Sequence, residues 1–259
     1  MTRFRMETQR YFKSIASCLY LCAGGFLRKR HRPLLDAICT HFDHAVGPKP
    51  LVPEISMGEL LGGEISLKLA ELDATEGNVA EIELLVIAAL VRQAEPHLCF
   101  EIGTFDGRTT LNMALNLPTD GRVFTLDLPG NDKGSTLLPL DHAEVKYVDK
   151  PVPGARFAGH ELAGQITQLY GDSASYDFSR FLDSVDFMFV DGSHSYDYAK
   201  TDSLTALEMV RSGGIILWHD YDTPYWPGVT RALNELHASH PAFSGLRRIR
   251  NTSLCILKR

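Results

Sequence analysis

Three short runs constrain this chain more than anything else in it: Leu98-Cys-Phe-Glu-Ile102, Val185-Asp-Phe-Met-Phe-Val190 and Ile215-Ile-Leu-Trp218. Each has the length of a strand and is almost unbroken in apolar character. A strand of that kind must be buried on both faces, which is the signature of a parallel sheet sandwiched between helices. Residues 122–127 and 166–170 read as two further strands, and residues 246–250 and 253–257 as a terminal antiparallel pair. Segments of helical length separate them: residues 80–93, stopped before Pro96; 108–117, stopped by Pro118; 196–211; and 228–239. Gly213-Gly214 is expected to turn the chain into Ile215. This alternation predicts an α/β fold in which ligands bind beyond the carboxyl ends of the strands.

The composition, 44% hydrophobic and 22% charged over 259 residues, is that of a globular chain and excludes a disordered or collagenous one. No apolar run reaches the ~18 residues of a spanning helix. The five cysteines form no CxxC, which argues against a zinc ribbon or a disulfide framework and for reduced thiols in the cytoplasm. The net charge of −6 is unevenly spread. Residues 1–32 carry eight Lys/Arg against Glu7 alone, while the remainder carries eighteen bases against thirty-one acids. An acidic body lacks the footprint that nucleic acid requires, so no nucleic-acid partner is expected.

The basic head encloses the apolar stretch 14–27, too short to span a bilayer. It reads as a helical appendage that packs on the body or on a second subunit as a dimer contact, with a weak contact to an anionic membrane surface as an alternative. Cys18 and Cys22, one helical turn apart, read as buried apolar residues. Pro48, Pro50 and Pro53, followed by Gly58, Gly62 and Gly63, mark a linker. The expected organisation is an appendage and linker over residues 1–53 and one domain over residues 54–259.

Polar residues close every central strand. Gly103-Thr-Phe-Asp-Gly107 follows the first, preceded by Glu101. Asp127-Leu128 closes the second, Gly171-Asp-Ser173 the third, Asp191-Gly-Ser-His194 the fourth and His219-Asp220 the fifth. A purely structural sheet does not require this. The loop is GxxxG instead of GxGxxG, which disfavours a pyrophosphate cradle, and no P-loop occurs. An acid, then GxxxG, then an acid about 20 residues later resembles the class I S-adenosylmethionine-dependent methyltransferases. Glu101–Thr110, Tyr170-Gly-Asp-Ser173, Phe189–Tyr196, Gly213–Asp220 and Asn251–Leu257 resemble in particular a bacterial subgroup of small-molecule and sugar O-methyltransferases that includes the cephalosporin hydroxylase-like proteins.

That resemblance implies a Rossmann-like sheet of seven strands in the order 3-2-1-4-5-7-6, strand seven antiparallel, with helices on both faces. It implies S-adenosylmethionine bound by Glu101, Gly103, Thr104, Phe105, Gly107 and Leu128, with Asp127 at the ribose, Asp172 and Ser173 beside the adenine, and Asp191 near the sulfonium. In divalent-metal members the ligands follow strands four and five, here Asp191, His219 and Asp220, for Mg2+ or Mn2+. An imidazole in that set tilts preference toward Mn2+ or a transition ion. The catalytic candidates are Asp191, His194 and His219, either histidine being an alternative base. Residues 128–165, an insertion with four prolines and five glycines, read as part of a lid beside the acceptor. Arg108, the histidines, Tyr225 and Trp226 would suit a small hydroxylated acceptor such as a natural product or sugar. A non-catalytic binding protein on the same fold, or a nucleotide-dependent oxidoreductase, is the alternative.

Overall fold

The computed structural model describes residues 2–24, 27, 28, 31, 34, 35, 38, 47–140, 144–150 and 152–259. The chain divides into two compact units, Met1–Gly47 and Pro48–Arg259. In the first, α1 spans Thr2–Gly24. Cys18 and Cys22, expected to be buried, are exposed on it, as are Tyr11, Phe12 and Leu19. A unit this small has too little material to cover such a helix on all sides. Of the second basic cluster, Lys29, Arg30 and Arg32 lie outside the described residues. Among the described residues no helix is long and apolar enough to cross a membrane.

The large unit is one sheet with helices on both faces. Its elements are β1 (Glu54–Ile55), α2 (Met57–Leu61), α3 (Glu81–Ala94), β2 (Leu98–Ile102), α4 (Arg108–Asn116), β3 (Arg122–Asp127), α5 (Val145–Val148), β4 (Ile166–Tyr170), β5 (Val185–Val190), α6 (Tyr196–Met209), β6 (Val210–Trp218), α7 (Pro227–Ser239), β7 (Arg247–Ile249) and β8 (Cys255–Lys258). The sheet order is β1-β7-β8-β6-β5-β2-β3-β4. β2 pairs in parallel with β3 and β5, and β5 with β6, while β8 runs antiparallel to both β6 and β7. The seven expected strands and their order are present, and an eighth, β1, adds in parallel to the β7 edge. Two residues between prolines and glycines carry no periodicity, so this edge strand left no signal. β6 also begins five residues early: Gly213 adopts φ +81° inside the strand instead of opening it.

The unbroken apolar runs feed both faces, as their pattern demands. Phe187, Phe189 and Leu217 enter one core with Leu84, Ile87 and Val91 of α3. Met188, Val190 and Trp218 enter the other with Ala206 of α6 and Leu233 of α7. Residues 48–53 do not behave as a linker. Val52 is buried, the backbone of Leu51 donates to Tyr221 Oη and Asn234 Oδ1, and Lys49 O accepts from Asn234 Nδ2.

One irregular stretch, residues 68–79, owes its course to α4. Asn116, Asn112 and Arg108 lie at i, i−4 and i−8 on one helix face. The two asparagines pair with both backbone groups of Lys68 and Ala70. Arg108 is fully buried and donates to the carbonyls of Glu71 (2.6 Å), Leu72 (2.6 Å) and Val79 (2.8 Å). It was expected to face an acceptor. It is instead a clamp that satisfies backbone groups with no ladder of their own.

Candidate active site

A cavity of about 240 Å³ opens where the strands end. Gly103, Phe105, Asp127, Leu128, Asp172 and Ser173 line it on one side, and Asp191, His194, His219, Asp220 and Trp226 on another. The tight turn after β2 places its backbone against the next strand end. Gly103 has φ +97°, and a Cβ there would stand 1.9 Å from the Asp191 carbonyl oxygen, so only glycine fits. Phe105, at φ +48°, turns its N–H toward Asp127 Oδ2 (2.8 Å).

Three residues expected to bind cofactor do not line the cavity. Glu101 is fully buried beneath the loop. Its Oε2 accepts from Thr110 Oγ1 and Thr125 Oγ1 (2.5 Å), and Oε1 has no partner among the described residues. Its side chain meets Thr110 of α4, which intercepts it before it can reach a ligand. Burial pushes its pKa up to about 8, against the two threonine hydrogen bonds. Thr104 bonds Thr125 Oγ1 (2.6 Å) and Gln168 Nε2 (2.9 Å) in the same interior network. Gly107 faces the insertion: a Cβ would strike Phe157 and Gly154.

The insertion crosses the site through α5, which is tied to it at both ends of the helix. Lys150 donates to Asp127 Oδ1 (2.8 Å). Glu144 takes the other end, accepting from Ser193 Oγ (2.9 Å) and bonding His194 at its backbone N–H and at Nδ1 (2.9 Å). Burial raises the pKa of Asp127, opposed by Lys150 and the Phe105 N–H. Tyr147 of α5 bridges the aromatics, edge-on to Phe105 (6.0 Å) and to Trp226 (6.3 Å). Trp226 stacks on His194 with centroids 4.1 Å apart and planes 16° apart. Tyr225 is 55% exposed and does not line the cavity. Asp172 is held by Tyr198 Oη (2.7 Å) and Leu137 N (2.7 Å). Ser195 caps α6.

At the ends of β5 and β6, Asp191 Oδ1 and Asp220 Oδ2 lie 3.0 and 3.2 Å from His219 Nδ1. Asp191, His219 and Asp220 can turn one donor atom each toward a common point. His219 Nε2 meets Glu83 Oε2 at 3.0 Å, and His194 Nε2 meets Asp220 Oδ2 at 2.7 Å. Burial opposes charge on both rings, but the carboxylates outweigh it. His194 is pushed up to about 10 by Asp220 and Glu144, and His219 rises well above the usual range through Asp220 and Asp191. Every imidazole nitrogen therefore faces a carboxylate, and neither ring presents a free lone pair to an acceptor hydroxyl. Sequence reasoning missed Glu83, Glu144, Tyr147, Lys150 and Tyr198. For Glu83 the available signal was helical phase, since it is an acid on the buried face of an apolar helix.

Residues 100–221 match the family described as a methyltransferase domain. Tapetum-specific methyltransferase 1 of Arabidopsis thaliana is 28% identical over 59% of this chain and 59% of its own length. Caffeoyl-CoA O-methyltransferase of Stellaria longipes is 26% identical over 67% of this chain and 61% of its own. The match thus spans about three fifths of these relatives. The solved O-methyltransferase NovP superposes with a TM-score of 0.55 at 19% identity, covering 70% of this chain and 80% of that one. At that identity the likeness is one of fold.

Proposed function

We propose that this chain, whose residues 100–221 match a methyltransferase domain, is a class I S-adenosylmethionine-dependent methyltransferase that methylates a hydroxyl of a small acceptor at a divalent-metal centre. One observation carries the reading: the acids at the ends of β3 and β4 and the cluster at the ends of β5 and β6 open into the same cavity. A cofactor held by the first set would present its reactive group to the second.

Bound S-adenosylmethionine supplies an electrophilic methyl group, and the chain's task is to place it. Asp127 would accept the ribose hydroxyls, its carboxylate already fixed by the Phe105 N–H. Leu128, Asp172 and Ser173 would border the adenine. The Gly103 backbone would border the methionine part, where a side chain would not fit. Such fixing of reactants is the larger part of what this chemistry asks of a protein.

The donor set at the reacting end fits a divalent ion. Ligands at right angles on a six-coordinate ion with bonds of ~2.1 Å lie about 3.0 Å apart, and the His219 Nδ1–carboxylate distances are 3.0 and 3.2 Å. An ion there would lower the pKa of an acceptor hydroxyl without a free base. Asp191, His219 and Asp220 would hold it. His194, pinned between Glu144 and Asp220, would orient Asp220 and, with Trp226, form a flat wall for a ring-bearing acceptor such as a sugar or a phenol.

Calorimetry with S-adenosylhomocysteine tests the cofactor half. Asp127→Ala removes charge-assisted hydrogen bonds worth ~1.5–3 kcal/mol each, so affinity should fall at least tenfold while the ligand-free variant still melts cooperatively. Unchanged affinity would refute the assignment. Full turnover of a diol or phenol acceptor after exhaustive chelation would refute the metal half.

A further inference from the structure

We infer that Glu83 is a positioning residue that makes His219 a metal ligand through Nδ1, and that the centre is thereby built for an imidazole-accepting ion of the Mn2+ class in preference to Mg2+. The inference rests on the metal reading above and goes beyond it.

Glu83 comes from α3, far in sequence from the strand ends, and is 6% exposed. Its carboxylate is fully committed. Oε1 accepts from Ser253 N and Ser253 Oγ, both at 2.7 Å. Oε2 accepts from Ala80 N (2.9 Å) and meets His219 Nε2 at 3.0 Å. With its two oxygens fixed by the first turn of α3 and by the loop before β8, Glu83 cannot swing away. It therefore accepts a hydrogen bond from Nε2–H of His219, and in the neutral ring the lone pair is then on Nδ1.

Nδ1 faces Asp191 Oδ1 and Asp220 Oδ2. Three acceptors directed at one point are balanced by a cation or by a second proton on the ring. A carboxylate behind a ligating imidazole fixes its tautomer and raises its basicity, and losing that partner typically costs 10–100-fold in metal affinity. An imidazole ligand suits Mn2+ and later ions better than Mg2+, which favours oxygen. Helix capping alone would explain the Ala80 contact but not the approach of Oε2 to Nε2.

The test uses the full chain saturated with S-adenosylhomocysteine and titrated with Mn2+ or Mg2+ alone. Free Mn2+ is read by electron paramagnetic resonance, and nitrogen coordination by electron spin echo modulation. The wild type should prefer Mn2+ over Mg2+ by at least tenfold and show an imidazole nitrogen coupling. Glu83→Gln should lose ~10–100-fold in Mn2+ affinity with S-adenosylhomocysteine affinity unchanged. His219→Asn should abolish the nitrogen coupling and narrow the Mn2+/Mg2+ ratio, which keeps the test sharp if the Glu83 variant folds poorly. Wild-type Mn2+ affinity in Glu83→Gln, or an absent nitrogen coupling in a wild type that binds Mn2+, overturns this inference and leaves the metal reading standing. A wild type that binds neither ion at millimolar concentration overturns both and assigns the cluster to a doubly protonated His219.

Discussion

Glu101 offers a direct measure of how the interior beneath the glycine loop is balanced, through the variant Glu101→Gln. The carboxyl is fully buried, and burial holds its folded-state pKa near 8 against an ordinary value of 4.5. Between those values the folded chain keeps a proton that the unfolded chain has released. Stability therefore falls as pH rises, with a limiting slope of ~1.4 kcal/mol per pH unit for one proton. Integrated over the interval, the ionised form costs about 5 kcal/mol, and incomplete desolvation brings the expectation to about 3–5 kcal/mol. Glutamine keeps the shape and an acceptor for Thr110 and Thr125 but cannot ionise. Other groups titrate in both proteins and cancel in the comparison. Urea unfolding from pH 5 to 8.5, which spans most of that interval, should show the wild type losing about 2–4 kcal/mol relative to Glu101→Gln. The constant offset from the buried amide is irrelevant to this test; the slope decides it. A stability difference independent of pH, or one that moves in the wild type's favour as pH rises, would refute a protonated Glu101.

Two other perturbations test the frame around the site. Arg108→Met removes three charge-assisted bonds to the carbonyls of Glu71, Leu72 and Val79, at a cost of about 3–6 kcal/mol. Hydrogen exchange should localise the loosening to residues 68–79, and a loss below about 1 kcal/mol would remove Arg108 from that role. Deleting residues 1–47 should leave a folded chain that binds S-adenosylhomocysteine, whereas deleting residues 1–53 should destabilise it by exposing the Val52 site and removing the backbone partners of the Tyr221–Asn234 pair. Light scattering of the two deletions against the full chain reads out whether the head contributes a dimer contact, and salt-sensitive flotation with anionic vesicles reads out a lipid contact.

What the sequence makes legible here is what repeats or what ends an element. Buried strands announce themselves because both faces must be apolar, and the acids that close them stand out because a buried sheet gives no reason for charge there. Asp127, Asp172, Asp191, His219 and Asp220 are therefore visible, and the structure brings all five to one cavity. β1 is invisible because two residues have no period, and residues 68–79 because their bonds are made by side chains of α4 instead of by a ladder. Glu101 shows the reverse error: an acid beside a glycine loop looks like a ligand, yet a one-residue step along β2 turns its side chain into the interior, away from the ligand side. Three of the missed site residues share one cause. Glu83, Glu144 and Lys150 come from a helix and an insertion that reach the strand ends only through tertiary packing, and nothing local ties them to a partner 136, 50 or 23 residues away. Their chemistry was nonetheless implied by the strand-end acids. A buried cluster holding Asp127, Asp191 and Asp220 must be balanced by cations or by donors. Lys150 answers the first, His194 and His219 the other two, and the histidines in turn require acceptors of their own. Once two imidazoles are placed among carboxylates, each needs a partner for its remaining nitrogen, and Glu144 and Glu83 are those partners.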